Sequence, residues 1–277
     1  MKTFGKVVVN SNACGVSIQN KGNIQAPKIV PSQSNKLDEV SVNLKHTIQT
    51  NISNVRGCTF LPDSKMIFAS YINNQVSVLK PDGSADFDLN TIGPVWDVVY
   101  IGDNYVAVTS GDITNSKKIN IINVENRNVQ KVLNVTSAND GVAFKDGKLI
   151  YCAREQGLKM ISLSDKSIIS ITTNKMSSQA NVDSKGDKLF YSNEENHTVN
   201  CCDFHGKTLW TFSEPSALNF PCSLSVDNDG NVFVAGALSH NVIVISIDGQ
   251  RYRQLLSKKD GLDCPKLWEY DRTNNKL

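Results

Sequence analysis

Three polar residues recur at one position of a repeating pattern and could together hold a metal ion. Asp97, Asp140 and Asn181 stand at comparable places in three successive segments of similar sequence. Converging carboxylate and amide oxygens bind divalent cations, as metal-dependent hydrolases and lyases require. The other segments hold Gly57 or Cys58, Cys222 and Lys266 at these places. We therefore predict no metal site, and expect the Asp and Asn side chains to bond to backbone groups in turns.

A second set of side chains is suited to binding a macromolecule. Guanidinium groups and aromatic rings can contact phosphates and stack on bases, and the same groups can anchor a protein partner. The candidates lie in loops that should share one face: Arg56, Tyr71, Trp96, Asp140, Arg154, Asn181, His197 and His240. Two of them have simpler interpretations, since Trp96 could pack between repeats and Arg154 could be a solvated cation. Acidic residues are interspersed, among them the pair Glu194 and Glu195, which we expect in a solvated turn.

The elements that must position these residues are repeated antiparallel strands. Residues 219–249 read as strand, Asp-Gly turn, strand, small-residue loop, strand and a second Asp-Gly turn, which is typical of a propeller blade. The apolar residues that open the returning strands lie 40 to 45 residues apart, at Met66, Val106, Leu149, Leu189, Val232 and Leu277. This period is typical of β-propellers. No segment shows sustained helical periodicity, so the chain is predicted to be all-β.

Counting the repeats predicts a six-bladed propeller with five complete blades and a truncated sixth. The sixth consists of one hairpin, from Lys266 to Leu277. We place the propeller at residues 55–277 and treat residues 1–54 as an N-terminal linker and closing strand. Glu39 to Ile48 alternates apolar with polar residues, and this strand could close the ring as the outer strand of blade six. One inner strand is still missing, which suggests a fragment or a shortened product of a longer chain.

Composition excludes several classes of protein. The formal net charge of the 277 residues is +2, so no overall field commits the chain to nucleic acid or an anionic membrane. Seven cysteines, without a C-x-x-C pair, fit reduced thiols of a cytoplasmic protein better than a disulfide framework or a zinc module. No apolar run reaches the length of a membrane span, and we expect no signal peptide, because no apolar h-region follows the first residues.

Four stretches resemble NHL repeats, namely residues 57–63, 96–99, 141–149 and 224–234. Their sequences are similar to the C-terminal NHL propeller of the tripartite-motif (TRIM-NHL) family, especially of the invertebrate type. The resemblance implies a six-bladed recognition domain that binds protein partners or single-stranded and stem-loop RNA. It also implies that ubiquitin-ligase activity belongs to a RING domain, whose ligand series is absent here. The missing end of blade six and the pair Cys222-Ser223 depart from the family pattern.

These observations predict a recognition domain without catalytic activity. Its partner is expected to be a protein, such as a ubiquitin-ligase substrate, because interspersed acids make a poor phosphate-binding surface. RNA binding on the same face is the alternative, and a metal-dependent propeller hydrolase or lyase is a more distant one. No cofactor, membrane contact or small-molecule substrate is expected.

Overall fold

The structure is a computed structural model, and it describes residues 3–9, 36–50, 52–89, 93–111 and 116–274. Five four-stranded antiparallel sheets follow one another along the chain. The all-β propeller prediction is therefore confirmed. Within the described residues, no helix is long and apolar enough to cross a membrane.

The blades are built alike, each from four strands in chain order. Blade one comprises β3 (Val55–Phe60), β4 (Met66–Ser70), β5 (Gln75–Leu79) and β6 (Ala85–Leu89). Blade two comprises β7 (Val98–Gly102), β8 (Tyr105–Thr109), β9 (Lys118–Asn123) and β10 (Asn128–Asn134). Blade three comprises β11 (Val142–Lys145), β12 (Lys148–Cys152), β13 (Leu158–Ser162) and β14 (Ile168–Ser170). Blade four comprises β15 (Val182–Lys185), β16 (Lys188–Asn193), β17 (Thr198–Asp203) and β18 (Thr208–Phe212). Blade five comprises β19 (Pro221–Val226), β20 (Val232–Gly236), β21 (Asn241–Ile245) and β22 (Tyr252–Leu256).

Local sequence explains the hairpins. In blade three, Asp146 and Gly147 have φ angles of 48° and 73°, and in blade two Asp103 and Asn104 have 48° and 63°. Two successive residues with positive φ make the turn whose twist matches a β-hairpin, and Asp, Asn and Gly adopt it most readily. The second and third strands between such turns are rich in Val and Ile, which favour the extended backbone.

The core lies between the blades, with one hydrophobic cluster at each interface. Blade one packs on blade two through one such cluster, and the next three interfaces repeat the arrangement. Burial on both sides explains why second and third strands such as β20 and β21 are buried at every position. A blade therefore cannot bury its apolar faces without its neighbours.

The predicted truncated sixth blade is wrong, because the described residues form five blades. Within the described part of the chain, the segment 265–274 contains no strand, only a single β-bridge residue at Asp271, and Leu277 lies outside the described residues. Side chains of blade five hold this segment instead: the Ser223 hydroxyl accepts a bond from the Trp268 amide at 3.0 Å, and Ser225 Oγ accepts one from the Tyr270 amide at 2.9 Å. Leu267 packs against the apolar cluster of blade one, so the segment lies between blades five and one.

The N-terminal region also differs from the predicted closing strand. A strand does form, β2 (Val42–Gln49), but it pairs with β1 (Thr3–Val9) in a separate two-stranded sheet and not with a blade. Before it, the short helix α1 (Lys36–Glu39) places Leu37 against blade five, in one cluster with Phe233 and Val244. The Asp38 carboxylate accepts two bonds from Arg251 Nη2, at 2.6 and 2.7 Å.

Candidate functional site

The loops that precede the inner strands, and those that join the second and third strands, share one end of the blades, called the upper face below. Arg56, Tyr71 and Trp96 meet there. The Arg56 guanidinium carbon lies 5.0 Å from the Trp96 ring centroid and 5.9 Å from that of Tyr71. The two rings are themselves in edge contact, with centroids 5.7 Å apart. Arg56 stands at a bulge in β3, where the pairing shifts between Val55 and Gly57, and a bulge redirects the side chain it carries.

Arg154 completes this group from blade three. Its guanidinium carbon lies 5.8 Å from the Trp96 centroid, and a short 3-10 turn after β12 presents it with a φ of 49°. Asp140 is fully buried, and its two carboxylate oxygens accept bonds from Arg154 Nε at 2.7 Å and Nη2 at 2.9 Å. We call Arg56, Tyr71, Trp96 and Arg154 the Arg–aromatic cluster. Two cations from different blades thus lie against one partly exposed indole.

Gln179 and Glu194 also lie at the cluster, although neither was predicted from the sequence to be part of the site. Arg56 Nη1 donates to Gln179 Oε1, and Gln179 Nε2 donates to Glu194 Oε1 at 3.3 Å. The expectation that Glu194 lies in a solvated turn is wrong, since only 5% of this residue is exposed. Burial raises the pKa of Glu194 to about 7, and the nearby Glu195 adds to the shift. Glu194 Oε2 has no hydrogen-bond partner among the described residues.

The two histidines of the predicted site have structural contacts. His197 Nδ1 accepts a bond from the Phe220 amide at 3.1 Å, and His240 Nδ1 accepts one from the Cys264 amide at 3.1 Å. Each imidazole therefore joins its loop to the next chain segment on the upper face. No contact with the Arg–aromatic cluster is found for either ring within the described residues.

Asn181 belongs to the central channel, where the inner strands surround a cavity of about 180 Å³. Asp97 lies there, buried, and accepts bonds from the amides of Val98 at 2.8 Å and Val142 at 2.9 Å, while Asn181 Nδ2 is 3.4 Å from Asp97 Oδ2. Burial raises the pKa of Asp97 to about 7. Among the described residues, no group of three or more His, Cys, Asp or Glu side chains is placed to hold a metal ion.

Other charged groups line the same cavity. The Arg272 Nη2 donates to both carboxylate oxygens of Asp183, at 2.7 and 2.8 Å. Burial also raises the pKa of Glu269 well above its usual value, and the charge of Asp183 adds to this. The channel is therefore polar and holds the Arg272–Asp183 ion pair, whereas the upper face carries partly exposed cations and rings.

Comparison with known proteins supports the fold. No protein-family model matches the chain, and no curated protein matches it. Among solved structures, a protein of unknown function from Bacteroides thetaiotaomicron is similar with a TM-score of 0.63 at 8% identity, over 73% of this chain and 57% of that one. A streptogramin B lyase is similar with a TM-score of 0.59 at 15% identity, over 75% of this chain and 70% of that one. A virginiamycin B lyase from Staphylococcus aureus gives 0.57 at 17% identity, over 75% and 71%.

These similarities define the class of this chain, a β-propeller, and at such low identity they establish the fold alone. They also correct one prediction. The expectation that the chain is not an enzyme is contradicted, because two of these three similar propellers are lyases. The NHL resemblance stays an expectation, since none of these structures is described as a tripartite-motif or NHL protein.

Proposed function

We propose that this propeller binds a partner protein on its upper face, through the Arg–aromatic cluster. The observation that carries the proposal is the shared indole of Trp96, which two guanidinium groups approach at 5.0 and 5.8 Å. Arg, Trp and Tyr are the residues that most often dominate the binding energy of protein interfaces. The recognition role that the NHL resemblance implies is consistent with this site.

The anchoring of Arg154 supports a binding role for it. Burying a carboxylate such as Asp140 removes it from water, which costs free energy that the ion pair only partly offsets. A buried apolar residue would stabilise the blade at least as well. The ion pair instead fixes the Arg154 guanidinium beside Trp96. A partner then loses less free energy of binding to the ordering of this side chain.

Exposed apolar residues on the upper face favour a protein over other ligands. Ile72 is 61% exposed in the loop that carries Tyr71, and Leu238 is 57% exposed in the equivalent loop of blade five. An interface of aromatic and arginine anchors with apolar neighbours is typical of protein partners.

RNA is the second candidate, because the same cations and rings could contact phosphates and stack on bases. Two exposed acids on this face oppose it: Glu155 and Glu195. A phosphate chain that crosses the face would meet these carboxylates as well as the arginines, so RNA binding should be weak and highly sensitive to salt.

A lyase-like activity is a third candidate, and Glu194 is the observation that favours it. A carboxyl group with a pKa of about 7 can both accept and donate a proton at neutral pH. The test is to incubate the protein with virginiamycin B and to follow product formation by chromatography. Activity that is lost in Glu194→Gln would support catalysis on this face.

The main proposal is tested by capturing partners from a lysate on the immobilised protein, with and without ribonuclease. The comparison is between wild type, Trp96→Ala, Arg154→Ala and the control Lys148→Ala, which alters an exposed cation at the opposite end of blade three. Proteins that survive ribonuclease, and are lost in the first two variants but not in the control, would support the proposal. Equal capture by all folded variants overturns it, and ribonuclease-sensitive capture favours RNA.

A further inference from the structure

Arg56 has binding capacity that its neighbours in the fold do not use. A guanidinium carries five N–H donors, and the described hydrogen bond of Arg56 goes to a neutral amide, that of Gln179. Within the described part of the chain, Arg56 forms no ion pair with a carboxylate. Arg154, by contrast, is paired with Asp140. The two arginines on the same indole therefore differ in what they can offer a ligand.

Glu194, at the other end of the hydrogen bonds that run from Arg56 through Gln179, also has a carboxylate oxygen without a partner among the described residues. Glu194 bonds to Gln179 through Oε1, while its buried Oε2 has no partner among the described residues. Gln179 thus lies between Arg56 and Glu194 and bonds to both. Burial keeps part of the Glu194 population neutral near pH 7, which weakens its attraction for Arg56.

We propose that Arg56 binds a carboxylate side chain, an Asp or Glu, of the partner protein. This inference rests on the function proposed above and names the chemistry of the partner's anchor. The incoming carboxylate takes the place of the Gln179 oxygen and accepts two parallel N–H bonds from the guanidinium. Tyr71 and Trp96 hold the guanidinium plane by cation–π contact and pack on the apolar neighbours of the acidic residue.

A single carboxylate fits this surface better than a phosphate chain does. One guanidinium without a carboxylate partner can neutralise one negative charge, and the planar fork of Arg matches the planar carboxylate. The exposed carboxylate of Glu195, which follows Glu194 in the chain, would repel the further charges of a nucleic acid strand. The observations therefore favour an acidic peptide segment as the ligand.

The experiment is a titration of the isotope-labelled protein, followed by NMR at the Trp96 indole N–H, which is assigned with Trp96→Phe. The probes are the blocked tripeptide Ala-Glu-Ala, its Ala-Gln-Ala counterpart and a ten-nucleotide oligouridine. We expect the Glu peptide at millimolar concentration to shift the Trp96 signal and the Gln peptide to leave it in place. Arg56→Lys should weaken binding of the Glu peptide about tenfold, because Lys keeps the charge and loses the fork.

The matched control is Arg127→Lys, which alters an exposed arginine that lies over the Phe87 ring, 4.2 Å from its centroid, on blade two. It should bind the Glu peptide as wild type does. Three results overturn the inference: no shift with the Glu peptide, an equal shift with the Gln peptide, or equal affinity in Arg56→Lys. A shift with oligouridine alone also overturns it and favours RNA.

Failure here is distinguishable from failure of the proposed function. If partner capture is lost in Trp96→Ala but unchanged in Arg56→Lys, the upper face binds a protein and the carboxylate anchor is wrong. If capture is unchanged in Trp96→Ala, the proposed function fails whatever the peptides do.

Discussion

The fully buried carboxylate of Asp140 holds the guanidinium of Arg154 through two bonds of 2.7 and 2.9 Å. The pair lies within blade three, but its guanidinium lies against Trp96, which precedes the first strand of blade two. One side chain that is out of contact with solvent therefore controls a cation that solvent and ligands can reach.

Removing Asp140 should destabilise the protein. We expect Asp140→Ala to lower the free energy of unfolding by about 3 kcal/mol, because it leaves a cavity and a partly buried cation without its carboxylate. Urea unfolding measures the change. The control Asp187→Ala breaks an ion pair between Lys188 and a largely exposed carboxylate, and should cost less than about 1 kcal/mol. Similar losses in both variants would contradict the anchoring role.

The raised pKa of Glu194 predicts a particular dependence of stability on pH. Between the ordinary pKa of Glu, near 4.5, and the folded value of about 7, the native state binds the proton more tightly than the unfolded state. The protein therefore loses stability as pH rises through this window, and Glu194→Gln should remove that part of the loss. We expect the variant to gain on the order of 1–2 kcal/mol relative to wild type at pH 8, and little at pH 4.

Urea unfolding at several pH values tests this. The pKa of Asp97 is also raised to about 7, so stability should still fall with pH in Glu194→Gln. The remaining dependence of stability on pH should become smaller when Asp97→Asn is added. Unchanged slopes in the single variant would show that Glu194 ionises normally in the folded protein.

Gly57 should not tolerate a side chain. A Cβ atom built there would lie 2.1 Å from Asp97 Oδ1 and 2.5 Å from Asp97 Cα, across the interface of blades one and two. We expect Gly57→Ala to cost about 2–4 kcal/mol, because the backbone atoms cannot move aside without separating the blades. Thermal unfolding measures it. The comparison is Gly186→Ala, where nothing lies within 4 Å and the strain of a positive φ alone should cost about 1 kcal/mol.

The N-terminal region should stabilise blade five. Leu37 is buried against Phe233 and Val244, so Leu37→Ala should lower the free energy of unfolding by about 2–4 kcal/mol. Leu238 is exposed, and the same substitution there should change stability by less than about 0.5 kcal/mol. Chemical unfolding of the two variants decides the matter. Equal stabilities would mean that α1 does not dock on blade five.

Much of the fold could be predicted from sequence because the blade repeat leaves a strong local signal. Alternating Val and Ile runs, separated by turns such as Asp146-Gly147, define hairpins without reference to distant residues. The number of blades was harder to predict. Apolar residues such as Leu267 and Trp268 suit a strand, but whether a strand forms depends on partners to either side.

In the site, too, features encoded by local sequence could be predicted, and contacts between distant residues could not. The rings and cations of the Arg–aromatic cluster were candidates by residue type and by their place in the repeat. Gln179 and Glu194 were missed, because Gln179 has no chemical signature of its own and Glu194 stands in an acidic, loop-like sequence. The contact of Gln179 with Arg56 joins residues far apart in the chain, and no local pattern encodes it.

The links between neighbouring inner strands are largely made by side chains. Asp97 accepts the amide of Val142, and Asp183 accepts that of Val226 at 2.8 Å, while the described ladders run within single sheets. Each blade thus completes its own ladder of strands, and the bonds between blades come mostly from side chains, with a few backbone bonds such as that from the Gly141 amide to the Ala180 carbonyl at 3.1 Å. A gene encoding such a ring can gain or lose a whole unit of about 42 residues without leaving a ladder unpaired. We therefore expect this architecture to tolerate the duplication or deletion of a whole blade.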